Sequence, residues 1–256
     1  MRVQELFDLH GKVAIVTGGG SGLGRQMATA LAEAGASVTL AARKVERCEE
    51  TAHELASLGA RALPLRVDVT NPDDVRAMVE RTVAELGGVD ILVNNAGRAW
   101  VADAVDMDLR GWRSVLDTNL TGSFLCAQAA GRVMIARGRG KIINTASVAG
   151  LHGSRPEVLN SLPHNTTNAG LINFTRDLAV KWGRYGINVN AIAPWWFPSK
   201  LSEEIVAAHG EQIAAEVPLG RLGGPDDLKG AVVYLASGAS DWMTGQLIVV
   251  DGGQSA

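Results

Sequence analysis

Cysteine is nearly absent from this chain, aromatics are few, and no apolar run is long. Cys48 and Cys126 are the only thiols in 256 residues, and they lie far apart. That excludes a disulfide scaffold and offers no metal-ligand spacing, so the expectation is two reduced thiols in a cytoplasmic protein. No stretch approaches the length of a membrane span, and residues 1–12 hold no apolar run long enough for a signal peptide. Charge of neither sign dominates: the formal net charge is -3. Basic residues do not cluster, and the densest group, Arg137, Arg139 and Lys141, reads as a solvated helix end. This balance argues against nucleic acid or an anionic membrane as the main partner and leaves a small molecule. Linkers, repeats and low-complexity runs are also missing, so the expectation is one domain over 1–256, long enough to bury a substantial core.

What the chain does have is glycine in one place. Val13, Ala14, Ile15 and Val16 form a short apolar run that reads as a strand buried on both faces. Five glycines follow within eight residues: Gly18, Gly19, Gly20, Gly22 and Gly24. Met27, Ala28, Leu31 and Ala32 then recur at helical spacing until Gly35 stops the helix. Strand, glycine turn and helix together aim free backbone N–H groups and a helix's positive end at a phosphate. The flanking strand and helix are the context that separates such a motif from an ordinary turn.

The rest of the chain alternates in the same way. Strands are expected at 37–42, 62–67, 89–93, 141–145, 187–192 and 246–250. Helices are expected at 46–58, at 71–86 with Pro72 in the first turn, at 111–137 with a break near Asn119, at 165–182 and at 225–237. Pro163 biases Leu162 away from helix. Alternation at this pitch specifies an α/β fold, a doubly wound parallel sheet of seven strands with helices on both faces. Ligands of such sheets bind beyond the carboxyl ends of the strands. There lie Thr17 to Gly24, Ala42 to Lys44, Asp68, Asn94 to Gly97, Ser147 and Pro194 to Ser199.

These segments resemble the short-chain dehydrogenase/reductase family over nearly the whole chain. The matching motifs are TGGGSGLG from Thr17, Asp68 after the third strand, NNAG from Asn94, Asn119, and NTASVAG around Ser147. GINVNAIAP from Gly186 and the closing TGQLIVVDGG also match. The wording is similar to the sugar-acid and secondary-alcohol dehydrogenases of that family. The resemblance implies a Rossmann-like domain and a nicotinamide cofactor. Its pyrophosphate would lie on Gly18, Ser21, Gly22 and Leu23, its adenine beside Asp68 and Val69, and its length along Asn95 and Gly97. Pro194 and Ser199 would flank the nicotinamide end. Subunits would pair into a homotetramer or homodimer. At the end of the second strand an acidic residue would favour NAD by bonding the ribose 2′-hydroxyl. Ala42, Arg43 and Lys44 stand there instead, and an arginine fork suits a phosphate, so the expectation is NADP, with NAD as the alternative.

The chain departs from the family where the chemistry would be. The family's Tyr-x-x-x-Lys pair is replaced: the sequence reads His164-Asn165-Thr166-Thr167-Asn168. Tyr185 and Tyr234 fall in other segments, and no lysine lies between Lys141 and Lys181. An imidazole with an ordinary pKa of about 6.5 is already an acid–base group at neutral pH. The expected catalytic set is therefore Ser147, His164, Asn168 and Asn119, acting on a small alcohol or carbonyl compound, with redox activity impaired or altered. Ser147 with His164 also admits a nucleophile–base reading, with no third group in sequence to orient the imidazole. A non-redox protein on the same scaffold is the alternative. Aromatics make up only 5 % of the chain, so Pro194-Trp195-Trp196-Phe197, where the family has Pro-Gly, stands out. Trp100, Trp195 and Trp196 are expected to line the substrate pocket, beneath a flap over about 195–220.

Overall fold

The structure is a computed structural model that describes residues 1–157, 159–198 and 203–256. A short helix α1 (Val3–Leu6) precedes β1 (Val13–Thr17), α2 (Gly22–Glu33), β2 (Ser37–Ala42), α3 (Val45–Ser57), β3 (Ala62–Arg66), α4 (Pro72–Leu86) and β4 (Ile91–Asn94). Helix α5 (Leu109–Leu116) runs through a π turn (Asp117–Thr121) into α6 (Gly122–Arg137), followed by β5 (Gly140–Thr145) and α7 (Leu162–Trp182). Then come β6 (Ile187–Pro194), α8 (Glu203–Glu216), α9 (Lys229–Ala236) and β7 (Leu247–Val250). The strands form one parallel sheet in the order β3-β2-β1-β4-β5-β6-β7.

Successive strand residues point to opposite faces, and the two cores divide on that basis. Ala14, Val16, Val93 and Ile143 join Met27, Leu31 and Leu235 on the face covered by α2 and α9. Ile15, Leu92 and Ile142 join Val75, Met78 and Met134 on the face covered by α4 and α6. Every residue of β1 is buried, which is why its sequence is an unbroken apolar run rather than an alternating one. The chain leaves β1 toward β2 on one side and returns to β4 on the other. The gap between β1 and β4 above their carboxyl ends is the switch point where such sheets bind ligands.

Three expectations need correction. Leu162 is helical, because Pro163 sits in the first turn of α7, where no intrahelical N–H is required. The fourth strand starts at Ile91, not Val89, and the last long helix starts at Lys229, not Pro225. Arg137 and Arg139 are exposed at the end of α6, as expected, and also reach the buried Asp90 carboxylate at 3.7 and 3.4 Å, while Lys141, already in β5, pairs with Asp241 at 2.8 Å. The break expected near Asn119 is present as the π turn. Both cysteines are free and buried, and burial pushes the Cys126 thiol up to about 12. Among the described residues, no helix is long and apolar enough to cross a membrane.

Candidate active site

The glycine turn and the segment after β4 lock together through one threonine. Thr17 Oγ1 accepts the N–H groups of Asn95 (2.9 Å) and Ala96 (3.0 Å). Asn95 Nδ2 donates in return to the carbonyl of Thr17 at 3.0 Å. Gly18 and Gly22 have φ of 69° and 51°, the left-handed region that L side chains avoid. A side chain at Gly24 would run into the Gly18 carbonyl and the Asn95 amide. Ser21 is extended at the start of α2 and makes no side-chain cap. The first N–H groups of α2 therefore face the switch point without partners inside the helix.

Under this wall a buried polar chain ties the sheet to its helices. Asn94 Nδ2 donates to Asn144 Oδ1 at 2.9 Å and to the Ser123 carbonyl at 3.2 Å, and Asn144 Nδ2 donates to Thr175 Oγ1 at 2.9 Å. These bonds fix α6 and α7 against β4 and β5. Above them opens a cleft of about 240 Å³. It brings together Gly18, Ser21, Gly22, Leu23, Asn95 and Gly97 with Asn119, His164 and Asn168, residues up to 150 positions apart, and adds Arg98 and Ser123.

Asn119 sits in the π turn, which is what turns its side chain out of the regular helix row. Its Oδ1 accepts the Arg98 N–H at 2.9 Å. Its Nδ2 donates to the Arg98 carbonyl at 3.0 Å and to Thr167 Oγ1 at 3.2 Å. Thr167 Oγ1 and Asn168 Nδ2 both donate to the His164 carbonyl, at 3.0 and 2.8 Å. Asn168 is thus turned back onto its own helix, with the backbone of Gly150 against it. The imidazole of His164 is half-buried, and its Nδ1 is buried without a hydrogen-bond partner. Burial pushes its pKa below the usual histidine value, and the Arg98 carbonyl opposes this only in part. The imidazole is therefore neutral near pH 7, with a lone pair to accept a proton. Ser147 is not hydrogen-bonded to His164; its Oγ instead accepts the N–H of Ala149 at 3.1 Å.

Known proteins place this arrangement. Residues 18–255 match the family model described as enoyl-(acyl carrier protein) reductase. A 2-dehydro-3-deoxy-D-gluconate 5-dehydrogenase of Escherichia coli is 40% identical over 252 residues, covering 96% of each chain. A short-chain type dehydrogenase/reductase from Mycobacterium marinum superimposes with a TM-score of 0.96 at 42% identity, covering 100% of both chains. A gluconate 5-dehydrogenase from Burkholderia cenocepacia, in complex with NADP and tartrate, superimposes with a TM-score of 0.93 at 38% identity over 99% of each chain. The chain belongs to the short-chain dehydrogenase/reductase family.

Several residues that the family resemblance singles out lie around the cleft rather than in it. Ser147 flanks Ala146, which lines the cleft. Arg43 and Lys44 are exposed at the end of β2. Asp68 faces Arg43; partial burial pushes its carboxyl up, but hydrogen bonds from Thr70 and the charges of Arg43 and Arg66 hold it below the usual range. Val69 is buried against Gly122. Trp100 packs on Gly111, with Arg98 and Arg110 over its ring at 5.9 and 5.8 Å. Pro194 ends β6 opposite Val250. Trp195 and Trp196 meet edge to face at 5.8 Å. They line a chamber of about 300 Å³ against α8, with Arg155 and His209 on its far wall. Ser199 and residues 200–202 of the segment expected as a flap lie outside the described residues; residues 203–216 of that segment form α8. Sequence reasoning missed Arg98 and Ser123. The one signal for Arg98 was its place directly after the NNAG motif.

Proposed function

We propose that this protein is an NADP-dependent oxidoreductase acting on a secondary alcohol or ketone of a small hydroxy acid, with His164 as the proton-handling group. The observation that carries this reading is the cleft at the β1–β4 switch point, which sets the glycine turn and a neutral, half-buried imidazole around one space. The NADP and tartrate held by the Burkholderia cenocepacia relative support both the cofactor and the substrate class. The cradle fits a dinucleotide, because Gly18 and Gly22 adopt positive φ and Gly24 leaves no room for a Cβ. When bound, the nicotinamide supplies or takes up the hydride.

The residues would divide the remaining work. Gly18, Ser21, Gly22 and Leu23 hold the pyrophosphate with backbone N–H groups. Arg43 and Lys44 take the 2′-phosphate, and Asp68 and Val69 border the adenine. Asn95 and Gly97 line the path to the reacting end, with Pro194 and Ser199 beyond it. His164 accepts the alcohol proton in oxidation and returns it in reduction. Ser147 donates to the substrate oxygen after turning from Ala149, and Asn119 fixes the Arg98 carbonyl beside the imidazole. Asn168 brings no charge, so the site works more slowly than one built on a tyrosine–lysine pair. Trp100, Trp195 and Trp196 bound the substrate space beneath the segment at about 195–220. By family resemblance the chain assembles as a homotetramer or homodimer.

A second reading is a cofactor-binding protein without redox turnover, or a site reworked for acid–base or acyl chemistry. The hydrogen bond that spends the Asn168 amide on the His164 carbonyl favours it. NADP⁺ with hydroxy acids, and NADPH with ketones and aldehydes, separate the two. Turnover that disappears in His164→Ala supports the first reading. Binding of NADPH with no turnover on any substrate, and none gained by joining His164→Tyr to Asn168→Lys, supports the second.

A further inference from the structure

We infer that Arg98 is the anion-binding residue of the cleft and holds a carboxylate of the substrate. This rests on the proposed function and names its substrate class by chemistry. Among the described residues lining the cleft, Arg98 alone carries a permanent charge. The others are glycines, apolar side chains, hydroxyls and amides, together with a histidine that burial keeps neutral. No carboxylate among the described residues pairs with Arg98; its guanidinium stands 5.9 Å from the centroid of the Trp100 ring. A cation over an indole face is held weakly at a site open to water. The planar fork keeps its capacity for two parallel hydrogen bonds to a carboxylate.

The backbone of Arg98 is fixed with unusual completeness. Asn119 takes its N–H and donates to its carbonyl, at 2.9 and 3.0 Å. The same carbonyl faces the His164 imidazole. The charged side chain therefore starts from a point set beside the proton-handling group. A second guanidinium, Arg110 from α5, lies 5.8 Å from the same indole and adds positive charge there. In the proposed function the phosphates of a dinucleotide take the glycine turn and Arg43, which lies outside the cleft. An anion next to His164 is then the substrate's own. A carboxylate entering a partly dry cleft without a counter-charge is strongly disfavoured. With asparagine at 168, Arg98 is the counter-charge that remains.

The test compares two probes with one carbon skeleton, D-gluconate and the uncharged D-glucitol, titrated into the full chain with and without NADPH. The readout is heat or tryptophan fluorescence. The expected result is tighter binding of gluconate by the wild type. Arg98→Gln should weaken gluconate about 10- to 100-fold while leaving glucitol and NADPH unchanged. Arg98→Lys, which keeps the charge and loses the fork, should restore part of the difference and guards against a folding defect. Equal binding of the two probes by the wild type overturns the inference. So does a gluconate preference that survives Arg98→Gln. Failure of NADPH to bind is a separate result that strikes the proposed function, since the titration without cofactor still reads Arg98.

Discussion

The two walls of the cleft are built differently. On the wall of β1, α2 and β4 the turn is tied by its own bonds: Thr17 holds Asn95 and Ala96, and Asn95 holds Thr17, while Asn94 Oδ1 and Gln26 Oε1 behind it are buried without partners. On the wall of α7 the ring nitrogen Nδ1 of His164 is buried without a partner, and so is Nε1 of Trp196 in the neighbouring chamber. A buried polar atom without a partner costs free energy, so it persists where a ligand or a reaction uses it, or where the surrounding packing insists on it. The first wall is a cradle whose turn is held by its own backbone and side-chain bonds. The second keeps an imidazole nitrogen unpaired beside the cleft, at the position where the sequence reading expects His164 in place of the family's tyrosine.

If the division is right, substitutions on the second wall should strike turnover and substitutions on the first should strike cofactor binding. His164→Ala gives the largest effect: turnover falls on the order of 10²- to 10⁴-fold while NADPH affinity, read by fluorescence titration, is unchanged. Equal turnover in the variant would place the proton elsewhere. Gly24→Val sharpens the contrast from the other side. Its side chain must displace the Gly18 carbonyl and the Asn95 amide, so NADPH affinity should drop by about 100-fold, with stability lowered by about 1–3 kcal/mol in thermal unfolding. Arg43→Ala is smaller: about a 10-fold loss for NADPH and none for NADH, in parallel titrations. Equal losses for the two cofactors would remove Arg43 from the 2′-phosphate.

The smallest effect is on pH and stability. The folded pKa of His164 lies below its unfolded value of about 6.5. The unfolded chain therefore takes up the proton first as pH falls. Stability from the neutral imidazole is full above about pH 6.5 and is lost as pH drops from there through the depressed folded value. Between pH 7 and 5 the wild type should lose more stability in urea than His164→Ala does. Parallel curves for the two proteins would show an imidazole that titrates as if exposed.

The cradle was legible in the sequence because backbone rules write it: an apolar run, clustered glycines and a helix admit few other folds. The break at Asn119 was legible for a related reason, a polar residue interrupting an otherwise long helix. The second wall was not, since its geometry depends on contacts distant in sequence. Nothing local to residues 164–168 reveals that Asn168 folds back onto the His164 carbonyl, or that the Arg98 carbonyl supplies the third group facing the imidazole. Nor did the bias of Pro163 against helix survive its place in a first turn. Trp195 and Trp196 were conspicuous by composition, yet only the packing against α8 shows that they line a chamber beside the cleft.

One titration bears on the whole arrangement: the ring signals of His164, assigned by their loss in His164→Ala among the five histidines, followed by NMR from pH 8 to 4 with and without NADP⁺. A midpoint below about 6.5, and a shift of these signals when NADP⁺ is added, are the expected result. An imidazole that titrates at its ordinary value and does not respond to NADP⁺ would contradict the placement of His164 beside the cofactor.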